Sequence, residues 1–212
     1  MARRKYDFYP TPAAATKVLI AYHGFFGKGV VFEPCHGDGA ITDVIRAAGA
    51  EVVTSDIDPA RSVDLIRDAR FFSIRDDLDP KFELLAATKP KSVVTNPPFN
   101  QAIGIVSNFV GQGVPCAFLL RLSFLEPTED RGDWLRDNPP TGLIVIPRIS
   151  FTGDGKTDSV TCAWMLWNVP RFGKSAVGKL RCECCLQFEH LPFQSEASVR
   201  VLQYAQGPIQ RC

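Results

Sequence analysis

Asn96-Pro97-Pro98-Phe99 combines three groups that could hold a flat amine. The Asn96 side-chain oxygen and the Pro97 backbone carbonyl are acceptors, and Phe99 supplies an apolar face. Two acceptors beside a stacking ring suit a planar group carrying NH2, such as the exocyclic amine of a nucleobase. The tetrapeptide must be held rigidly to do this. Ser92-Val93-Val94-Thr95, rich in β-branched residues and preceded by Lys89-Pro90-Lys91, predicts a short buried strand leading into it. Two consecutive prolines then end the strand, because each lacks a ladder donor and has a fixed φ. A plain strand-to-helix turn would use the same four residues, so the elements around them decide the reading.

Those elements alternate. Val30-Val31-Phe32 predicts a strand running into Glu33-Pro34-Cys35-His36-Gly37-Asp38-Gly39. Ile41, Val44, Ile45 and Ala48 then mark one face of a helix that Gly49 closes. Glycines between strand and helix let backbone approach a ligand and present helix-end amides to it. His36 is expected at the loop surface, with a cofactor contact as the alternative. Glu51-Val52-Val53-Thr54-Ser55-Asp56 is a second strand, and its terminal acid lies nineteen positions after Gly37. An acid near that offset meets a ribose diol in nucleotide-binding sheets. A helix cap at Asp56-Ile57-Asp58-Pro59 is the plainer alternative. The third glycine of a dinucleotide fingerprint is missing, since position 42 is Thr, which weakens a nicotinamide reading.

Upstream, Tyr9-Pro10-Thr11-Pro12 is extended, with Thr11 expected to cap a helix that starts at Pro12 and ends near Gly24. Such a segment suits a strapping helix as well as a ligand contact. Downstream, residues 63–66 predict a short strand followed by Asp68, and residues 79–87 a helix. Ile103, Val106, Phe109 and Val110 predict another helix, and residues 114–124, 143–147 and 161–169 three more strands. Between the last two lies a polar, glycine-rich loop, residues 150–158, able to close over a substrate. Residues 180–188 and 198–204 are candidate strands of a tail. This alternation predicts a doubly wound, mostly parallel α/β sheet binding ligands beyond its strand C-termini. Glu33, Asp56, Asp68 and Asn96 should then share one rim.

Composition sets the frame. The chain has 212 residues, 45% of them apolar, enough for one domain with a full core. A net charge of +1 is far from the strongly basic balance of a protein gripping many phosphates, so any nucleic-acid contact should be local. Seven cysteines at irregular spacing suit thiols in a reducing cytosol, and a cytoplasmic location is expected. The charged N-terminus is not followed by an apolar stretch, so no signal peptide is expected. The most apolar run, residues 114–125, is interrupted by Arg121 and is too short to span a bilayer, so no membrane is expected.

Taken in order, four motifs resemble class I S-adenosylmethionine-dependent methyltransferases of the DNA adenine-N6 type: Tyr9-Pro10-Thr11-Pro12, Glu33-Pro34-Cys35-x-Gly37-x-Gly39, Ser55-Asp56-Ile57-Asp58 and Asn96-Pro97-Pro98-Phe99. Leu120-Arg121-Leu122-Ser123-Phe124-Leu125-Glu126, the start of the 150–158 loop and Ala163-Trp164 are similar to phage and prophage members. The resemblance covers residues 6–169 of a chain expected to be one domain, leaving 170–212 as an extension. It implies a Rossmann-like, seven-stranded, mostly parallel sheet with helices on both faces and an antiparallel last strand. It implies S-adenosylmethionine as cofactor, with Glu33, Pro34, Cys35, Gly37 and Gly39 around its methionine end. Asp56, with Ile57 beside it, would take the ribose, and Asp68 the adenine, a role for which Asp76 and Asp77 compete. Tyr9, Thr11 and Pro12 would cover the methionine end. Asn96, Pro97, Pro98 and Phe99 would hold a flipped adenine of DNA, the implied substrate. RNA (guanine N2 or adenine N6), a protein glutamine, a non-catalytic cofactor-binding module and a nicotinamide enzyme are the alternatives.

Other constellations carry less. Cys182, Cys184 and Cys185 with His190 fit no familiar zinc spacing, so no metal is expected. Trp164 and Trp167 are expected to pack the last strand. Arg3, Arg4, Lys5, Arg148 and Lys156 could meet a phosphate backbone or simply be solvated.

Overall fold

The computed structural model describes residues 9–74, 83–146, 160–169, 186–190 and 200–204. Seven strands form as anticipated: β1 (Val30–Glu33), β2 (Glu51–Asp56), β3 (Leu65–Ile66), β4 (Ser92–Thr95), β5 (Cys116–Arg121), β6 (Gly142–Val145) and β7 (Cys162–Trp167). Their order is β3-β2-β1-β4-β5-β7-β6. Pairings from β3 through β5 are parallel, whereas β7 runs antiparallel to both β5 and β6. Two strands of the tail, β8 (Leu186–His190) and β9 (Arg200–Tyr204), form a hairpin whose β9 pairs with β6 and continues the sheet.

Strand alternation sorts side chains onto two faces. In β5, Cys116, Phe118 and Leu120 enter one core while Ala117 and Leu119 enter the other. In β7, Trp167 joins the first and Trp164 the second. Helix α1 (Ala13–Tyr22) covers the second face through Ala15, Val18 and Leu19, beside Ile41 and Ile45 of α2 (Ala40–Ala47). Helix α3 (Glu83–Thr88) places Leu85, and α4 (Ala102–Gly111) places Ile105, Val106 and Phe109, on the first face. Each such Leu, Ile or Phe, fully buried, contributes about 1.5–3 kcal/mol of transfer free energy. Both tryptophans pack as expected and also donate from their indole nitrogens: Trp164 to the Ala15 carbonyl at 2.8 Å, Trp167 to that of Asn138 at 3.0 Å.

Three local expectations change. Helix α5 (Glu129–Asp137) was not anticipated, because Glu-Asp-Arg-Gly-Asp-Trp-Leu-Arg-Asp has almost no apolar periodicity; only Trp134 and Leu135 reach the core. Strand β5 stops at Arg121, and Leu122–Leu125 coil into a 3-10 turn that buries Phe124. Thr11 does not cap α1: the cap position is Pro12, without a side-chain bond, and the Thr11 hydroxyl is used elsewhere. Residues 1–8, with Arg3, Arg4 and Lys5, lie outside the described residues, as do Asp76, Asp77, Arg148, Lys156, the 150–158 loop and the cysteines at 182, 184 and 185.

Sheet order creates the site. The chain moves from β1 outward through β2 and β3, then returns to add β4 and β5 on the opposite side of β1. The direction of winding reverses between β1 and β4, the place where open α/β sheets bind ligands. Glu33 ends β1, Asp56 ends β2 and Asn96 follows β4, so all three meet at that point.

Candidate active site

The loop after β1 is held by backbone first. The His36 amide donates to the Ser55 carbonyl at 2.9 Å, fastening the loop to the end of β2. The Gly37 amide donates to Asp56 Oδ2 at 2.8 Å, and the Asp58 amide to Oδ1 at 2.8 Å. The nineteen-residue interval seen in the sequence is thus a direct hydrogen bond that ties the glycine loop to the acid. Each Asp56 oxygen keeps a further lone pair for a ligand hydroxyl. Gly39 has φ +87°, and a Cβ there would stand 3.3 Å from the His36 ring. Only glycine turns the chain into α2 so closely.

Beneath the loop Glu33 is 1% exposed and accepts a short hydrogen bond from the Thr42 hydroxyl. His36, expected at the surface, instead turns inward: its side chain is 12% exposed, with Nδ1 3.1 Å from Thr42 Oγ1 and 3.5 Å from Glu33 Oε2. Burial pushes the Glu33 carboxyl up, against the pull of its His36 and Thr42 partners. Bonding to Glu33 raises His36 above its ordinary value, against desolvation. A histidine raised in the folded state stabilises it fully below the unfolded value of about 6.5 and loses that contribution as pH rises through the folded one. Wild-type protein should therefore lose thermal stability above about pH 6.5 relative to His36→Asn, and melting curves from pH 5 to 9 should show the difference closing.

Asp68 caps the 3-10 turn Ala69–Phe71, accepting from the Arg70 amide at 2.9 Å and from its guanidinium at 2.6 Å. That pairing holds the Asp68 carboxyl below its ordinary range. Helix α4 fixes the segment: Asn108 Nδ2 donates to the carbonyls of Ala69 and Phe72, and Gln112 brackets Phe72 and Ile74.

At the other end, Asn96 Nδ2 donates to the Tyr9 carbonyl at 3.3 Å and to Thr11 Oγ1 at 3.0 Å. A backbone carbonyl only accepts, so this contact fixes which end of the amide carries nitrogen. Among the described residues Asn96 Oδ1 is left buried without a hydrogen-bond partner. A buried acceptor without a donor costs about 1–3 kcal/mol, a penalty that a ligand's N–H would remove. The turn is set by Gln101, whose amide donates to the Pro98 carbonyl at 3.0 Å. Phe99 lies 6.4 Å from the Tyr9 ring, 26° from parallel.

One open crevice of about 800 Å³, mouth included, joins these parts. Thirteen of the fifteen residues singled out in the sequence line it: Tyr9, Thr11, Glu33, Pro34, Cys35, Gly37, Asp56, Ile57, Asp68, Asn96, Pro97, Pro98 and Phe99. Pro12 and Gly39 do not; the first sits at the head of α1 and the second shapes the turn behind His36. His36 lines it too, as its alternative reading had it, and Asp58 and Arg61 line it without having been anticipated, as do Gln101 and Ile105 at the Asn96 end. His36 carried a signal in hindsight, since it lies inside the glycine loop three positions after Glu33. Burial pushes the Cys35 thiol well above its ordinary range, so it is a lining group rather than a nucleophile. Among the described residues no group of three or more His, Cys, Asp or Glu side chains is arranged to hold a metal, and no helix is long and apolar enough to cross a membrane.

A seven-strand core with one reversed strand and a crevice at the switch point make up a Rossmann-like α/β fold. A solved structure with this fold bears out the architecture. A candidate RNA methyltransferase from Pyrococcus horikoshii superimposes with a TM-score of 0.54 at 17% identity, over 78% of this chain and 89% of that one. The 23S rRNA methyltransferase ErmE aligns over 74% of this chain and 69% of its own, with a TM-score of 0.46 and 16% identity. Neither a family model nor a curated protein sequence matches the chain.

Proposed function

We propose that this protein is an S-adenosylmethionine-dependent methyltransferase acting on the exocyclic amine of a nucleobase, with adenine N6 in DNA as the first reading. The single observation that carries it is the buried, partnerless Asn96 Oδ1 next to Phe99, in one crevice with Asp56 and the glycine loop. The residues fit the cofactor. Asp56 has lone pairs to spare for a ribose, and Ile57 is 42% exposed on the crevice wall. Glu33, Asp38, Asp56, Asp58 and Asp68 give the wall the negative character that suits a sulfonium. When bound, the cofactor supplies an electrophilic methyl group.

The chain's own groups do the rest. Asn96 Oδ1 and the Pro97 carbonyl, which accepts no hydrogen bond among the described residues, receive the two hydrogens of the amine. That localises the nitrogen lone pair for in-line attack. Phe99 stacks on the base, which must leave a duplex to reach the crevice. No base is needed beforehand, because the proton departs after the nitrogen is alkylated. Asp68 must yield one oxygen from Arg70 to meet the cofactor's adenine.

RNA is the second reading, favoured by the Pyrococcus horikoshii neighbour, which is described as a candidate RNA methyltransferase. Incubation with radiolabelled cofactor and DNA, RNA or protein separates the readings. Label in adenine of DNA supports the first, label in RNA alone supports the second, and label in none overturns both.

A further inference from the structure

Arg121 ends β5, the strand beside β4, and its guanidinium carbon sits 4.1 Å above the centre of the Phe99 ring. The side chain is exposed and makes no ion pair or hydrogen bond with the described residues. A planar cation 4.1 Å above the ring centre occupies the space that a stacked base would need on that face. Resting on the reading of Phe99 as the base platform, we propose that Arg121 is a place-holder for the target base and, once displaced, a clamp on the phosphate of the flipped nucleotide.

Three observations converge. The group is flat like a base, so it keeps the ring covered while the site is empty. Among the described residues it is held by the ring alone, at a cost of displacement of only about 0.5–1 kcal/mol for an exposed cation–π pair. It carries a full charge with no carboxylate partner among the described residues, beside a crevice wall rich in acids, in a chain whose net charge is only +1. A flipped nucleotide brings a phosphate within a few ångströms of its base, and a guanidinium is suited to receive it. Arg121 is thus a positioning residue: it touches no reacting atom and acts by exchanging one seat for another.

The exchange predicts opposite changes for a base with and without its phosphate. Protein saturated with S-adenosylhomocysteine, which fills the cofactor half, is titrated with 9-methyladenine and with a 20-nucleotide adenine-containing single strand at several salt concentrations. Arg121→Ala should bind 9-methyladenine about 2- to 5-fold more tightly, since no cation must leave the ring. It should bind the oligonucleotide more weakly, with a log K against log salt slope shallower by about 0.7. Arg121→Lys should restore the slope without restoring the covered ring. Any other pattern, including a wild type that binds neither probe, overturns the inference. Transfer assays keep the two readings apart: a wild type that shows the opposed shifts but transfers nothing sinks the function, whereas active wild type with an indistinguishable Arg121→Ala sinks the place-holder.

Discussion

Asn96→Ala should lower the rate of methyl transfer about 10²- to 10³-fold, a loss of roughly 2.7–4 kcal/mol in the transition state. The amide has two tasks that the structure separates. Its nitrogen holds the Tyr9–Thr11 segment through two hydrogen bonds, and its oxygen is free to accept. Alanine removes both, so a control is needed. Thr11→Val deletes only the hydroxyl that receives Asn96 Nδ2, and its net cost should stay near 0.5–1.5 kcal/mol, about 2- to 13-fold in rate. Single-turnover measurements on both variants decide the matter. Asn96→Ala transferring as fast as Thr11→Val would mean that the amide only props the segment and that the amine is held by something else.

The second large effect concerns the cofactor half. Asp56→Asn keeps the size of the side chain but turns one acceptor into a donor. One of the two backbone amides that now bond to it, Gly37 or Asp58, would then face another N–H. Hydrogen bonds to a charged group contribute about 1.5–3 kcal/mol, so S-adenosylmethionine should bind roughly 10- to 100-fold more weakly. The glycine loop loosens at the same time, and the melting temperature should fall about 2–4 °C for each kcal/mol lost. Calorimetric titration and thermal denaturation read the two effects independently. Wild-type affinity in Asp56→Asn would remove this residue from the ligand's surroundings.

What could be read from the sequence was whatever depends on neighbours along the chain. Strand ends are local, so Glu33, Asp56 and Asn96 could be placed on one rim from β-branched runs cut short by proline, glycine or acid. The interval from Gly37 to Asp56 also spans only one helix, which fixes its geometry. His36 and Arg121 escaped because their roles depend on partners across elements: Thr42 reaches back from α2, and Phe99 sits on the turn after the adjacent strand. Helix α5 escaped for the opposite reason. It is a surface element stabilised by pairs such as Arg136 with Asp133, and it has little apolar stripe to betray its period. Thr11 has the local sequence of a cap, a threonine before Pro-Ala; a distant amide, 85 positions away, competes for its hydroxyl and wins.

Tyr9 and Thr11 line the crevice, and their segment receives the Asn96 amide. If spent donor leaves past that segment, the segment must swing aside, and Asn96 then forfeits the bonds that aim it. Each round of turnover would accordingly disarm the acceptor and re-aim it, making exchange of donor and readiness for the next base a single event rather than two.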